Sequence, residues 1–244
     1  MEQPTVHLYA LCWNEERMLP YFFRHYDSIV SRYFIFDNDS TDRSIELLKA
    51  HPKVSLRHFE VSNDSFVLSA LTFYNNAWKE SRGRADWVIV CNIDEHFDHG
   101  DLPVCLQRWA GENVTLVHAT GYEMFSDFFP NVRERLVDTV LTGTRREILD
   151  KAMLFNPNAI DEIGYRPGRH SCDPEGVLKW STEGRLHHFK YMGLDYLVER
   201  SLALGERLKP RDIEQDMGSH YRITAAEIES SFQRVRDAAV PLFF

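Results

Sequence analysis

The chain has 244 residues, of which 43% are hydrophobic and 27% are charged, the composition of an ordinary globular protein. Its 28 basic and 37 acidic residues give a formal net charge of −9, which disfavours nucleic-acid binding, because that needs clustered Lys and Arg. No apolar run approaches the ~20 residues of a membrane span, and the first residues show no signal peptide. The four cysteines form no paired motif, so we expect a cytoplasmic protein without disulfides or integral membrane segments.

The first hundred residues alternate between strand and helix patterns. Short apolar runs predict four strands, at residues 6–13, 33–36, 54–59 and 87–91. Between them the apolar residues have helical spacing, most clearly at 16–30 and 66–82. Continuously apolar strands separated by helices predict an α/β fold whose mainly parallel central sheet has helices on both faces.

The pattern changes after residue 100. Residues 114–125 and 137–144 alternate as half-buried strands do, and residues 164–176 form a loop rich in Gly, Pro and charge. Two amphipathic stretches near the end, 194–208 and 225–239, predict helices. Because no linker or repeat interrupts the chain, we expect one domain over 1–244 with two lobes, at about 1–100 and about 101–244.

Polar clusters follow three of the four predicted strands. They are Asn-Glu-Glu at 14–16, Asp-Asn-Asp at 37–39 and Asn-Ile-Asp-Glu at 92–95. In open parallel sheets, ligands bind outside the carboxyl ends of the strands. One polar loop alone would be unremarkable, but three at the same edge of a sheet predict a binding site there.

The third cluster has the chemistry of a divalent-cation site. A cation that acts on a diphosphate takes one or two protein carboxylates and uses the phosphates as further ligands. Asp94, delivered to the sheet edge by a buried strand, is the predicted ligand, and the Asn92 amide oxygen would accept a ribose hydroxyl or a metal-bound water. A zinc site at His96 and His99 is disfavoured because the Glu and the helix of a His-Glu-x-x-His motif are missing.

Three motifs in order resemble the family 2-like glycosyltransferases of the GT-A fold. They are Leu-Cys-Trp-Asn-Glu-Glu at 11–16, Phe-Asp-Asn-Asp-Ser-Thr-Asp at 36–42 and Val-Cys-Asn-Ile-Asp-Glu at 90–95. The last is similar to a bacterial subgroup whose fourth strand ends in Asp-Ile-Asp-Glu-Phe. The segment His-His-Phe-Lys-Tyr-Met-Gly-Leu-Asp-Tyr-Leu at 187–197 also looks like that subgroup, so the resemblance covers residues 6–205.

This resemblance implies a Rossmann-like GT-A fold and a glycosyltransferase in polysaccharide biosynthesis. The implied reaction is a metal-assisted, inverting transfer from a nucleotide-diphospho-sugar, UDP-linked in most of the family, with Mn²⁺ or Mg²⁺ as cofactor. The implied partners are that donor and a glycan or lipid-linked acceptor, with peripheral membrane contact left open. Residues 1–100 would form the nucleotide-binding lobe, and residues 101–244 the acceptor-binding lobe with the C-terminal helices.

The resemblance also assigns residues on the donor side of the site. Asn14, Glu15 and Asp37 would contact the base and ribose. Asn92 would occupy the ribose-proximal position of an Asp-x-Asp motif, and Asp94 would hold the metal. The motif has Asn92 where the family has aspartate, which removes one charge and weakens metal affinity. A catalytically weak nucleotide-sugar or glycan-binding protein on the same fold is therefore the alternative function.

A C-terminal histidine often completes the metal shell in GT-A enzymes. His188 or His187 would take this role, with His170 as a third choice; adjacent histidines on a strand face opposite ways, so at most one of the pair serves the site. Arg169 would either close over phosphates with its bidentate fork or belong to an ordinary surface loop.

An inverting reaction also needs a carboxylate as general base within reach of the acceptor hydroxyl. Among carboxylates of the second half, Asp173 and Glu175 are favoured because they share a loop with Arg169 and His170. A sugar nucleotidyltransferase is a weaker reading, because residues 11–18 lack the Gly-rich basic loop that it would need.

Overall fold

The structure, a computed structural model, describes residues 3–243 apart from the side chain of residue 220. Within those residues the strands are β1 Val6–Cys12, β2 Arg32–Asp37, β3 Val54–His58, β4 Trp87–Val90, β5 Glu95–Asp98, β6 Leu116–Ser126, β7 Thr142–Arg145, β8 Lys151–Phe155, β9 Ile160–Glu162, β10 Glu175–Gly176, β11 Trp180–Ser181, β12 Arg185–Met192 and β13 Val240–Pro241. The α-helices are α1 Leu19–Tyr26, α2 Ser44–Ala50, α3 Phe66–Asn76, α4 Leu102–Gly111, α5 Leu136–Thr139, α6 Leu194–Glu206, α7 Pro210–Glu214 and α8 Ala225–Ala238.

The four strands predicted from the first hundred residues form a parallel block in the order β3-β2-β1-β4. Strand β8 pairs antiparallel with β4 and with β6, so β6 runs in the same direction as β4. Strand β12 then pairs parallel with β6. The predicted α/β class with a mainly parallel central sheet is confirmed.

Both faces of the sheet are covered, as the continuously apolar strands predict. On one face, Leu8 of β1 packs in a cluster with Phe22 of α1, and both side chains are fully buried. On the other face, Tyr9 packs with Phe73 of α3 and with Trp78 just beyond that helix. Each buried side chain of this size contributes about 1.5–3 kcal/mol of hydrophobic stabilisation, so the two layers hold the strand ends in place.

The prediction of a strand at 137–144 is wrong over its first half. Helix α5 occupies Leu136–Thr139, and strand β7 begins only at Thr142. The buried Leu136, Val137 and Val140 have the spacing of one helical turn. Arg135 adds an ion pair with Asp138, three residues later and 2.7 Å away, which suits a helix and not a strand.

Residues beyond 100 extend the sheet begun by β1–β4, because β6, β7, β8 and β12 all belong to it. All four cysteines are free thiols. Within residues 3–243, none of the helices has the length and apolar character that crossing a bilayer requires.

Candidate active site

The loops after β1 and β2 are joined by the side chain of Asn14. This residue has a φ of 50°, a left-handed conformation that asparagine adopts more readily than most residues. Its Oδ1 accepts hydrogen bonds from the backbone N–H groups of Thr41, at 2.7 Å, and Asp42, at 3.3 Å. The N–H of Glu15 donates to Ser44 Oγ at 2.7 Å. In this structure Asn14 thus connects the first two strand-end clusters through hydrogen bonds.

The loops after β1 and β2 also contain two buried polar atoms that lack hydrogen-bond partners in the described part of the chain. Asp37, 5% exposed, accepts a hydrogen bond from the Ser40 N–H through Oδ2, at 3.0 Å. Its Oδ1 and the indole Nε1 of Trp13 have no hydrogen-bond partner among the described residues. Leaving a buried donor or acceptor unsatisfied costs about 1–3 kcal/mol, so such an atom needs an explanation, and a ligand's polar group is one. The pair offers one acceptor and one donor.

Two arginines, Arg200 within α6 and Arg207 directly after its last residue, contact these loops. The guanidinium of Arg207 lies 4.3 Å from the Trp13 ring centroid and donates to Asn38 Oδ1 at 2.8 Å and to Asn38 O at 2.9 Å. Arg200 donates to Trp13 O at 2.7 Å and forms an ion pair with Glu15. Burial raises the pKa of Glu15 to about 7, with Arg200 acting in the opposite direction. The arginines are seven residues apart, two helical turns, and so reach the same loops.

The third cluster meets two further strands through His188. The His188 Nε2 lies 3.3 Å from Asp94 Oδ2, and its Nδ1 lies 2.9 Å from Glu123 Oε1. Sheet register produces this meeting, because His188 of β12 stands opposite Glu123 of β6 on one side and Glu95 of β5 on the other. One imidazole therefore lies within ion-pairing distance of two carboxylates that are 29 residues apart in sequence.

The charges of this cluster are strongly coupled. Burial by itself lowers the pKa of His188, but the carboxylates of Glu123 and Asp94 outweigh it and raise the pKa to about 10. Burial conversely raises the pKa of Asp94, and the charge of His188 brings it below its usual value. At neutral pH His188 is therefore an imidazolium paired with the Asp94 carboxylate.

The donor set around Asp94 fits a hard divalent cation that is shared with a diphosphate. Among residues 3–243, no three or more His, Cys, Asp and Glu side chains form a preassembled metal cage. A Mg²⁺ or Mn²⁺ ion on a diphosphate does not need one, because one carboxylate and the phosphate oxygens supply its ligands. The Asp94 side chain is 26% exposed and so accessible from solvent. A cation there would compete with the proton of His188.

Beneath Asp94, Glu95 is the centre of a buried ion network. Its side chain is 1% exposed and pairs with Arg169, at 2.7 Å, and with Lys151. Burial raises the pKa of Glu95, but Arg169 and Lys151 hold it well below the usual value. Lys151 opens the apolar strand β8, where a charged residue interrupts an otherwise hydrophobic run.

This network corrects the expectation that Arg169 reaches phosphates from a surface loop. Arg169 is 3% exposed, and besides Glu95 its guanidinium donates to Val90 O at 2.8 Å and to Asn92 Oδ1 at 3.0 Å. The Asn92 oxygen also accepts a hydrogen bond from the Tyr74 hydroxyl at 2.8 Å. The amide oxygen predicted to meet a ribose is therefore already bonded inside the protein, where it anchors Arg169.

Of the three predicted histidine ligands, the structure brings only His188 into contact with Asp94. His187 is corrected: it is 1% exposed and faces the opposite side of β12, with its ring centroid 6.3 Å from that of Tyr122 and 6.2 Å from that of Phe189. Alternation along the strand is the reason. His170 forms no ion pair with Asp94, and desolvation together with the nearby charge of Lys151 lowers the pKa of His170 to about 4.

The predicted general bases Asp173 and Glu175 are not brought to this cluster. Strand β9 lies near the amino end of β4, because its backbone carbonyls accept hydrogen bonds from Arg82. From β9 the chain passes to Arg169, which lies at the carboxyl end of β4. The chain then returns as β10, which pairs antiparallel with β9 so that Glu175 stands opposite Glu162 in the sheet. Both predicted carboxylates are exposed on this returning arm, so the loop turns at the site and carries them away from it.

Sequence reasoning missed Glu123, Lys151, Arg200 and Arg207. Glu123 and Lys151 stand within otherwise apolar strand patterns, which is the signal for a buried, partnered charge. The two arginines share one side of a predicted helix, but nothing in the sequence indicates which loops they meet.

No protein-family model matches this chain, and no curated protein does either. Among solved structures, S. aureus TarS is similar, with a TM-score of 0.44 and 11% identity over 83% of this chain and 39% of that chain. TarS 1–349 in complex with UDP-GlcNAc gives a TM-score of 0.45 at 9% identity, covering 83% of this chain and 66% of that one. The complex of TarS 1–349 with UDP gives 0.44 and 10%, covering 83% and 64%. The chain thus spans less than two thirds of each of these structures.

Proposed function

We propose that this protein is a glycosyltransferase that moves a sugar from a UDP-linked donor to a hydroxyl of a glycan or lipid-linked acceptor. One observation carries the proposal: at the carboxyl edge of the parallel strands, the loops with the unpartnered Asp37 Oδ1 meet the Arg200–Glu15 pair, and this pair lies close enough to Asp94 for their charges to act on one another. A nucleoside site next to a carboxylate that suits a cation on a diphosphate is what a nucleotide-sugar requires.

We place the nucleoside beside Asp37 and Trp13. The Asp37 Oδ1 accepts a hydrogen bond from its base or ribose, and the Trp13 indole, held under Arg207, lines the same space. The diphosphate then lies towards Asp94. There Asp94 would hold Mn²⁺ or Mg²⁺ with His188 beside it, and the ion would neutralise charge on the leaving nucleotide. Arg200 binds Glu15 and Trp13 O and so holds the loop after β1 against helix α6.

Glu123 takes the role proposed earlier for Asp173 and Glu175. Like Asp94 it lies within ion-pairing distance of His188, and it is 8% exposed, whereas Glu95 is already paired with Lys151 and Arg169. An inverting reaction needs a base that accepts the proton of the acceptor hydroxyl as that oxygen attacks the anomeric carbon. We assign this base to Glu123, with His188 orienting its carboxylate, and we place the reaction in cytoplasmic polysaccharide biosynthesis.

The proposal is tested by measuring nucleotide release from a panel of UDP-sugars, with and without Mn²⁺, in the presence of mixed glycan and lipid-linked acceptors. Turnover that depends on both donor and acceptor is expected. The alternative is a catalytically weak binder of nucleotide-sugars or glycans, which Asn92 motivates because it lacks the carboxylate of the resembled motif. UDP binding without turnover in any acceptor mixture would favour that alternative.

The Asp37→Asn variant is expected to bind UDP about ten- to a hundredfold more weakly than the wild type. The substitution keeps the shape and the acceptor for the Ser40 N–H, but it removes the charged oxygen proposed to bind the nucleoside, a contact of about 1.5–3 kcal/mol. Isothermal titration calorimetry with UDP measures the effect. Asp39→Asn is the control, because the Asp39 side chain is 71% exposed and its ion pair with the exposed His58 lies at the surface. Equal UDP affinity in Asp37→Asn and wild type would contradict the placement of the nucleoside beside Asp37.

A further inference from the structure

A concave surface lies at the same edge of the sheet. It is a groove of about 500 Å³ between the segment that follows β1, helix α1 and the loop that follows β6. Its walls carry three exposed arginines and its floor is aromatic; the residues are Arg17, Arg24, Arg133, Tyr21 and Phe129. We call it the arginine groove. The proposed donor site does not use it.

The positive charge of this groove is not neutralised by the protein. Across residues 3–243, none of its three arginines forms an ion pair with a carboxylate. Arg24 donates to two backbone oxygens, Val132 O at 3.3 Å and Glu134 O at 3.2 Å, and so keeps its full charge. In a chain with a formal net charge of −9, three unpaired arginines around one groove create a local site for anions.

The floor and rim of the groove supply flat apolar surface. The Arg17 guanidinium lies 4.1 Å from the Phe129 ring centroid and 5.0 Å from that of Tyr196. Phe128, which precedes Phe129 in the chain, is 71% exposed. Exposed apolar groups beside a groove mark a ligand surface, and aromatic faces pack against the C–H faces of sugar rings. Arginines held on aromatic rings keep their outer N–H groups free for phosphate or carboxylate.

Tyr196, on which Arg17 stacks, connects the groove with the proposed catalytic cluster. Burial and the nearby charges of Glu15 and Asp94 raise the pKa of the Tyr196 hydroxyl, and Arg17 acts in the opposite direction. The Tyr21 hydroxyl donates to Pro130 O at 2.6 Å and ties α1 to the loop after β6. Glu123, three residues before the end of β6, leads directly into that loop. A chain lying in the groove therefore extends towards Glu123.

We propose that the arginine groove binds an anionic glycan segment of the acceptor, with phosphate or carboxylate groups on Arg17, Arg24 and Arg133 and a sugar ring against the exposed ring of Phe128. This inference rests on the proposed function, because it names the substrate class of the same site. The other source of anions beside exposed aromatic residues is a lipid surface. A concave groove that leads to the catalytic carboxylate favours a glycan chain over a flat membrane.

The test uses the whole protein and three oligosaccharide probes of similar length: an oligogalacturonate, a phosphorylated oligomannose and a neutral malto-oligosaccharide. Both charged probes, or the one with the preferred anion, should bind at least about tenfold more tightly than the neutral probe, and added salt should weaken this binding. The double variant Arg17→Gln, Arg133→Gln should bind the charged probe about tenfold or more weakly, with its UDP affinity unchanged. The control is Arg234→Gln, at an exposed α8 arginine bonded to Ser230 Oγ, which should change neither affinity.

Equal binding of the neutral and charged probes, or no effect of the double variant, would overturn the inference. Arginine-dependent binding to phosphatidylserine vesicles without binding of any charged oligosaccharide would also overturn it, in favour of a membrane surface. Failure of the proposed function looks different, because the wild type would then not bind UDP, whatever it does with the charged probes.

Discussion

The Asp94→Asn variant is expected to lose at least about a hundredfold in UDP-sugar turnover. The substitution preserves the shape of a side chain that is 26% exposed, so the fold is retained. It removes the carboxylate that would hold the divalent ion, whose charge stabilises the departing nucleotide by several kcal/mol. The measurement is steady-state nucleotide release at saturating Mn²⁺, together with UDP affinity with and without the metal.

The matched variant is Asn92→Asp, which adds a carboxylate two residues away. The Asn92 oxygen already lies 3.0 Å from Arg169, so an aspartate would be paired and the local structure kept. Metal-dependent UDP affinity should therefore be retained or strengthened in Asn92→Asp while it falls in Asp94→Asn. If Mn²⁺ enhances UDP binding equally in Asp94→Asn and wild type, the metal site has been assigned to the wrong residue.

The Glu95→Ala variant is expected to lower the free energy of unfolding by about 3–5 kcal/mol. Removing one member of a buried ion network leaves the charges of the others uncompensated, and here two cations, Lys151 and Arg169, would remain without their shared carboxylate. Urea denaturation followed by circular dichroism measures the change. Glu80→Ala is the control, because Glu80 is 32% exposed in its pair with Arg57, and the loss of such a pair costs about 1 kcal/mol or less.

The Glu95 network also predicts a pH dependence of stability. Because the folded-state pKa of Glu95 lies well below its usual value of 4.5, the unfolded chain binds this proton more readily than the folded one. The contribution of Glu95 is fully present above the unfolded-state pKa and is lost as pH falls towards the folded-state pKa. The wild type should therefore lose more stability than Glu95→Ala on acidification from pH 6 to about pH 3. Equal losses in the two proteins would contradict the role of this network.

The strand-end clusters could be predicted because the information for them is local. Continuous apolar runs specify β1, β2, β3 and β4, and polar residues stand where those runs stop. Parallel packing then brings the three clusters to one edge. Asp94 was predicted in this way, and His188 was one of three histidines that the resemblance implied. The structure places these two side chains 3.3 Å apart. The choice between His188 and His187 needed the orientation of β12, which sequence periodicity does not supply.

The sequence by itself determined the α/β class, the sheet edge that carries the polar loops, and the Asn92-Ile93-Asp94 turn at its centre. The tertiary structure decided which side chains meet there. Glu123 became part of the cluster because β6 lies beside β12, Arg200 and Arg207 because α6 packs over the loops after β1 and β2, and Glu175 was excluded because its loop turns back. The physical reason is that apolar periodicity is set by neighbours in sequence, whereas a buried charge is paired by neighbours in space.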